Sequence, residues 1–260
     1  MTAPHFAPRF PALRLAGAVM LAALALPAAA HAAQPQPAAP APAAPAPGKP
    51  PVRAPLRGGN WLGMATLSPT GGHVMGNPQA ATRVSEYMSY TCPHCAHFEA
   101  EASLPLRMGY IASGRVSFEV KHLLRDPLDV TVALLVNCAP PARFFALHHQ
   151  MLATQDKWLA MAQASTPAQR ERWQNGPMPE RLRAIASDLQ LYDTVARFGI
   201  GRPAADRCLA DPKLMERIVG HTREAEKLGI DSTPSFAING QVAADVHDWR
   251  GLSGALSDQH

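Results

Sequence analysis

The chain has 260 residues, a formal net charge of +4 at pH 7 and four cysteines. This mild charge, with no basic stripe interleaved with aromatic residues, argues against a nucleic-acid partner. Four cysteines are too few for a disulfide-dense scaffold, while the length allows one substantial core or a core with a subdomain.

The first 32 residues have the order of an export signal. Arg9 and Arg14 give a positive start, an apolar run of twelve residues extends over 15–26, and Ala30-His31-Ala32 offers small residues for cleavage. A membrane-spanning helix needs about 20 apolar residues, so this run is short for an anchor. We therefore predict a cleaved signal peptide over residues 1–32, with an uncleaved anchor as the alternative.

Residues 33–57 consist almost entirely of Ala, Pro and Gln. Such a segment has too few apolar side chains to offset the entropy lost on ordering. We predict a disordered or polyproline-like linker over these residues and a folded part that begins near residue 58.

A predicted strand runs into a predicted helix at the first pair of cysteines. Residues 82–90 are rich in β-forming residues, and residues 96–102 form a good helical run. Between them stands Cys92-Pro93-His94-Cys95, whose proline suits the first position of a helix. The two cysteines therefore share one face of the first turn, where they can reach disulfide distance.

This placement predicts a reactive disulfide. The free N–H groups and the positive end of the helix stabilise a thiolate at Cys92, and a protonated His94 adds a further positive charge. A stable thiolate favours the reduced pair, so the disulfide form readily accepts electrons. We expect Cys92 to be the attacking sulfur and Cys95 to be its buried resolving partner.

A zinc site is the alternative for this spacing, since zinc ligands often occur as two close cysteine or histidine pairs. Cys138 and Cys208 lie 70 positions apart, and the histidines show no matching pair. The flanking strand and helix favour redox chemistry, and we predict no metal.

The next hundred residues are predicted to be helical. Residues 115–124 alternate like a strand that closes a β-α-β unit, and Asp126-Pro127 ends it. Breakers then separate helical runs, at 129–137, 143–154, 167–173, 180–189, 193–198, 204–209 and 213–228. Cys138 and Cys208 both fall in this helical block.

A second motif lies near the end of the chain. Thr233-Pro234 precedes a short apolar run and the turn pair Asn239-Gly240, which reads as strand, hairpin and strand. X–Pro bonds adopt the cis form at modest cost, although an ordinary trans proline before an edge strand is the commoner case. The backbone of Thr233 is then free to pair with an extended substrate segment. A final helix is predicted over residues 249–256.

Both motifs resemble those of one family. Cys92-Pro93-His94-Cys95, with Tyr-Thr before it and Phe98-Glu99 after it, resembles the active site of DsbA-type periplasmic thiol oxidases. Thr233-Pro234 resembles the family's cis-proline, which faces the active-site disulfide. Threonine stands here where the best-known oxidases have valine, and it also occurs in other DsbA relatives and in the isomerase group. The resemblance extends over roughly residues 60–256.

The resemblance implies a fold and its boundaries. We expect an α/β protein, a thioredoxin fold with an inserted all-helical domain. Its first part covers residues 58–127, the insertion covers 128–228, and the second part covers 229–260. The family is periplasmic, and we expect a monomer with no cofactor beyond the Cys92–Cys95 disulfide.

Further residue roles follow from the same resemblance. The family has a buried acid at the position of Glu86, thought to modulate proton transfer to the resolving thiol; surface exposure is the alternative. Independently of the resemblance, we consider Lys121 a candidate partner for Glu86 across the sheet. Some relatives have an extra disulfide in the helical domain. Since unpaired cysteines are uncommon in oxidising compartments, we expect a structural Cys138–Cys208 bond rather than two buried thiols.

The sequence therefore predicts an enzyme that introduces disulfides into unfolded or folding exported proteins and is reoxidised by a DsbB-like membrane partner. An isomerase or reductase is the first alternative, although the Pro-His pair favours oxidation and residues 33–57 cannot form a dimerisation domain. A non-catalytic chaperone of the same fold is the second alternative, and the two intact cysteines argue against it.

Overall fold

The structure of the chain is a computed structural model that describes residues 59–258. The predicted signal peptide and the Ala/Pro-rich linker lie outside these residues. The described part contains six strands, β1 (Ala65–Leu67), β2 (His73–Gly76), β3 (Thr82–Met88), β4 (Val116–His122), β5 (Ser235–Ile238) and β6 (Gln241–Val242).

The helices of the described part follow in chain order. They are α1 (Pro93–Pro105), α2 (Pro127–Asn137), α3 (Pro141–Ala153), α4 (Gln155–Gln163), α5 (Pro167–Gln174), α6 (Met178–Asp188), α7 (Leu191–Ala196), α8 (Arg202–Cys208), α9 (Pro212–Lys227) and α10 (Trp249–Ser257). A short 3-10 helix at Trp61–Gly63 precedes the sheet, and a π-helical turn at Leu106–Ile111 continues α1.

The six strands form one mixed sheet in the order β1-β2-β4-β3-β5-β6. β3 and β4 are parallel and joined through α1, while the other neighbouring pairs are antiparallel. A parallel pair needs such a crossover because a tight turn would reverse the chain. The predicted α/β class is confirmed, and β3 lies at the centre with α1 starting at its carboxyl end.

Helices α2–α9 lie between β4 and β5 in the chain. At the centre of this group is α2, whose residues 132–136 are fully buried. A helix that is apolar on all sides must be enclosed by other elements. Buried residues of α2, the sheet and α1 belong to one continuous core, which brings the helical block against the cysteine motif.

Three elements were missing from the sequence-based prediction, namely β1, β2 and α4. The two strands have only three and four residues, too short to show a clear alternation. α4 begins at Gln155 directly after Thr154, which ends α3, so no glycine or proline marks the boundary. Within residues 59–258, no helix has both the length and the apolar character to cross a membrane.

Cys138 and Cys208 are joined by a disulfide bond in the structure, with a Cα–Cα distance of 5.8 Å. That distance is typical of disulfides. Cys138 caps the carboxyl end of α2, and Cys208 is the last residue of α8. The bond therefore ties the central helix of the helical block to one of its peripheral helices.

Candidate active site

The cysteine motif begins α1 at the end of the central strand. Cys92 is the N-cap residue in extended conformation and Pro93 is the first helical residue. The backbone N–H of Cys92 donates to the Ser89 carbonyl at 3.2 Å, which closes the turn between β3 and α1. Cys92 and Cys95 are free thiols, almost fully buried, while His94 is exposed.

The surroundings of Cys92 stabilise its thiolate. The Cys95 S–H contributes most, and Thr233 and the backbone N–H groups of Cys95 and His94 add to it, so the pKa of Cys92 falls to about 5 against the opposing effect of burial. Hydrogen bonds to a charged form always favour that form. The backbone N–H of His94 is thus one of the groups that stabilise the thiolate.

Cys95 has the opposite character. Burial raises its pKa far above that of a free thiol, and the hydrogen bond to Cys92 and, whenever Glu86 is ionised, the negative charge of that carboxylate raise it further. The proton therefore stays on Cys95 while Cys92 ionises. Two neighbouring thiols with pKa values pushed apart can take different roles in thiol–disulfide exchange.

The proline loop faces Cys92. The Thr233–Pro234 peptide bond is cis, and the Cys92 thiol donates a hydrogen bond to the Thr233 carbonyl over 3.2 Å. Within residues 59–258 the buried Thr233 hydroxyl has no hydrogen-bond partner, and the Thr233 side chain lowers the pKa of Cys92. The two sequence motifs, 141 positions apart, thus meet at one sulfur atom.

Glu86 is a residue of β3, the strand that leads to the cysteine motif. It is 1% exposed, neither carboxyl oxygen has a hydrogen-bond partner within the described residues, and burial raises its pKa well above the ordinary value. Glu99 and Cys92 add to this shift through their negative charges. Glu86 therefore holds its proton to a higher pH than an ordinary carboxyl group, and its charge, once formed, acts on the resolving thiol of Cys95.

The predicted pairing of Glu86 with Lys121 is wrong. Lys121 Nζ lies 2.7 Å from Glu224 and 3.6 Å from Glu119. In the parallel register Lys121 stands beside Tyr87, whereas Glu86 stands beside Val120. Because successive side chains of a strand point to opposite faces, Lys121 and Glu86 lie on different sides of the sheet.

Glu86→Gln is expected to remove a pH-dependent loss of stability. As the pH rises above the ordinary Glu pKa of 4.5, the unfolded chain loses the Glu86 proton while the folded chain keeps it. The wild-type free energy of unfolding should then fall, relative to the variant, by about 1.4 kcal/mol per pH unit until the folded-state pKa is reached. Urea unfolding of both proteins from pH 4 to 8 measures this difference, and parallel curves would contradict a buried, protonated Glu86.

Two residues of the helical block hold the turn that carries Cys92, and the sequence did not indicate either. Gln155 Nε2 donates to the carbonyls of Tyr90 and Cys92 at 2.7 and 2.9 Å. Buried Asp129 accepts from the Ser89 hydroxyl at 2.7 Å and from the Tyr90 N–H at 2.8 Å. Gln155 belongs to the unpredicted α4, and Asp129 resembles an ordinary residue of a first helical turn.

Two grooves open beside the contact between Cys92 and Thr233. The first groove has a volume of about 560 Å³, and the second groove has a volume of about 670 Å³. The first is lined by Cys92, Pro93, His94, Leu123, Leu124, Arg125, Asp231, Ser232 and Thr233. The second is lined by His94, His97, Phe98, Glu101, Ser232, Thr233, Pro234, His247, Asp248 and Arg250. Within residues 59–258, no three His, Cys, Asp or Glu side chains are grouped to hold a metal ion.

Comparison with known proteins places this site in a family. A family model described as thioredoxin matches residues 68–258. A protein of Rickettsia bellii, named as a protein-disulfide oxidoreductase, is 25% identical over 185 residues, which are 70% of this chain and 62% of that protein. A relative from Rickettsia typhi with the same kind of name is 26% identical over 64% of this chain and 54% of its own length. The chain thus spans less than two thirds of these relatives.

Solved structures agree with the family match. A crystal structure of a protein-disulfide isomerase from Novosphingobium aromaticivorans is 43% identical and has a TM-score of 0.69. The match covers 72% of this chain and 96% of that one. The Wolbachia pipientis alpha-DsbA1 structure, at 22% identity, has a TM-score of 0.57 over 74% of this chain and 92% of that one. The predicted thioredoxin fold is confirmed, and the chain belongs to the thioredoxin family.

Proposed function

We propose that the protein is a thiol–disulfide oxidoreductase that introduces disulfide bonds into exported proteins through Cys92 and Cys95. One observation carries this proposal, the opposite pKa shifts of the two thiols. A stabilised Cys92 thiolate makes the reduced pair favourable, so the disulfide form is a strong oxidant. Cys92 is then also the better leaving group when a substrate is released.

In the proposed reaction, a substrate thiolate attacks Cys92 of the Cys92–Cys95 disulfide. The bond between the two cysteines breaks, a mixed disulfide forms at Cys92, and Cys95 leaves as a thiolate. Its raised pKa makes it take up a proton, which we assign to Glu86 because burial makes that carboxyl group hold its proton to an unusually high pH and its charge acts on Cys95. The second substrate thiolate then attacks its own mixed disulfide and releases Cys92 as a thiolate. Two electrons have passed from the substrate to the protein.

Substrate and partners are proposed from the same site. Thr233 offers its backbone beside Cys92, where an extended segment of an unfolded or folding exported protein can pair with it. The reduced pair then needs an oxidant, which we propose is a DsbB-like membrane protein. We further propose that the protein acts in the periplasm, as a monomer and without any other cofactor. Two intact free cysteines at the site weigh against a purely chaperone-like role.

Isomerisation is the second candidate activity. The 43% identical structure is named a protein-disulfide isomerase, which favours this alternative. Thr233 is compatible with either activity. An isomerase would rearrange wrong disulfides with its reduced pair, whereas an oxidase would donate its disulfide to reduced chains.

The equilibrium redox potential of Cys92–Cys95 against glutathione tests the proposal. A value of about −120 mV is expected for an oxidase, and a value of about −270 mV would contradict the proposal by indicating a reductant. Refolding assays that start from reduced and from scrambled ribonuclease provide the second measurement. Rapid oxidation of the reduced substrate supports the oxidase, and faster recovery of the scrambled one supports the isomerase.

Replacing the His94 side chain is expected to weaken the oxidant. His94→Ser keeps the backbone N–H that faces Cys92 but removes a side chain that adds positive charge when protonated. The Cys92 pKa should rise and the redox potential should become more negative, because the thiolate loses that charge. Thiolate absorbance titrations of the two reduced proteins measure the change. An unchanged titration would assign the effect of this position to the backbone alone.

A further inference from the structure

We infer that His247 is a positioning residue that holds the proline loop against Cys92. This inference rests on the proposed function and assigns a role to a residue that neither sequence motif includes. The ring nitrogen Nδ1 of His247 lies 2.8 Å from the Pro234 carbonyl oxygen. A carbonyl can only accept, so Nδ1 carries the proton and donates it.

The loop also has a hydrogen bond of its own. The Ser235 hydroxyl donates to the Ser232 carbonyl at 2.8 Å, which closes the loop on itself. The bond from His247 ties the loop to a different segment of the chain, the one that precedes α10. Pro234 follows Thr233 directly, and the Thr233 carbonyl lies 3.2 Å from the Cys92 sulfur. A shift of the Pro234 carbonyl therefore moves the groups that contact Cys92.

His247 is itself held on both sides. The following residue, Asp248, caps α10 by accepting from the Gly251 N–H at 2.7 Å. Before it, the Val246 N–H donates to the Ala243 carbonyl, and the Ala243 N–H donates to the Phe236 carbonyl at 2.8 Å in β5. These bonds fix the backbone of the segment, so the imidazole is presented to the loop from a rigid support.

The ring also lines the second groove, together with His94, His97 and Thr233. His247 is exposed in the free protein. A substrate that pairs with Thr233 would cover this groove and exclude water from the bond to Pro234, which strengthens that bond. The contact is therefore placed to matter most during reaction with a substrate.

A pair of amide variants separates this role from the charge of the imidazole. His247→Asn places an amide N–H near the position of Nδ1, whereas His247→Gln places it near Nε2, and both are uncharged. His247→Gln and His247→Ala should raise the Cys92 pKa by roughly half a unit or more and slow mixed-disulfide formation several-fold. His247→Asn should stay close to the wild type in both.

The measurements are thiolate titrations of the reduced proteins and stopped-flow reaction of the oxidised proteins with a cysteine-containing peptide, with melting temperatures as the check of folding. Equal shifts in the Asn, Gln and Ala variants would overturn the inference, because only the charge would then matter. If the wild-type Cys92 pKa is low and none of the variants changes it, the inference about His247 is also overturned, while the proposed function stands. An unperturbed wild-type Cys92 pKa would instead refute the proposed function itself.

Discussion

Cys92→Ser is expected to reduce disulfide transfer to the uncatalysed rate, whereas Cys95→Ser should accumulate a mixed disulfide with the substrate. One cysteine should both attack in the reduced protein and be attacked in the oxidised protein. It must have the lower pKa and have access to the grooves. Cys92 meets both conditions, since its pKa is about 5 and it lines the first groove. Cys95 lines neither groove and holds its proton.

Non-reducing gels of each variant, incubated with a reduced substrate and a mild oxidant, distinguish the two cysteines. The Cys95→Ser variant should give a band of protein joined to substrate that disappears on reduction. The Cys92→Ser/Cys95→Ser double variant is the control for adventitious coupling. Trapping by Cys92→Ser instead would reverse the assignment of the attacking sulfur.

The part of the site that the sequence predicted is the part set by local structure. Cys92, Pro93 and Cys95 follow from a strand that leads into a helix, and the resemblance to a known family supplied Pro234. These features depend on residues adjacent in the chain or on motifs of fixed form. Their meeting at one sulfur depends on β3 and β5 being neighbours, which no local pattern reveals.

The site residues that could not be predicted from the sequence act through contacts between distant parts of the chain. Gln155 reaches the Cys92 carbonyl from a helix 63 positions away, and His247 reaches Pro234 across the hairpin of β5 and β6. A glutamine or a histidine alone carries no signal of such a partner. The Lys121 error had the same origin, since its face of the sheet follows from the register with β3, and the sequence does not fix that register.

Loss of the Cys138–Cys208 bond is the largest stability effect that we expect. The bond spans 70 positions, and the chain-entropy model gives about 4 kcal/mol for a loop of that length. Two small residues in place of the half-buried cysteines leave little unfilled space, so most of the loss comes from the greater freedom of the unfolded chain. Cys138→Ala/Cys208→Ala should therefore lower the free energy of unfolding by up to this amount.

This loss should leave the redox chemistry nearly unchanged. Cys138 caps the carboxyl end of α2, while Asp129, which holds the turn before Cys92, lies in the first turn at the other end. The Cys92 pKa of the folded variant should then match that of the wild type. Urea unfolding in a Cys92→Ser/Cys95→Ser background measures the stability term alone, and thiolate titration with Cys92 and Cys95 intact measures the chemistry. Free, alkylatable Cys138 and Cys208 in protein purified from an oxidising compartment, or equal unfolding free energies, would contradict a structural bond.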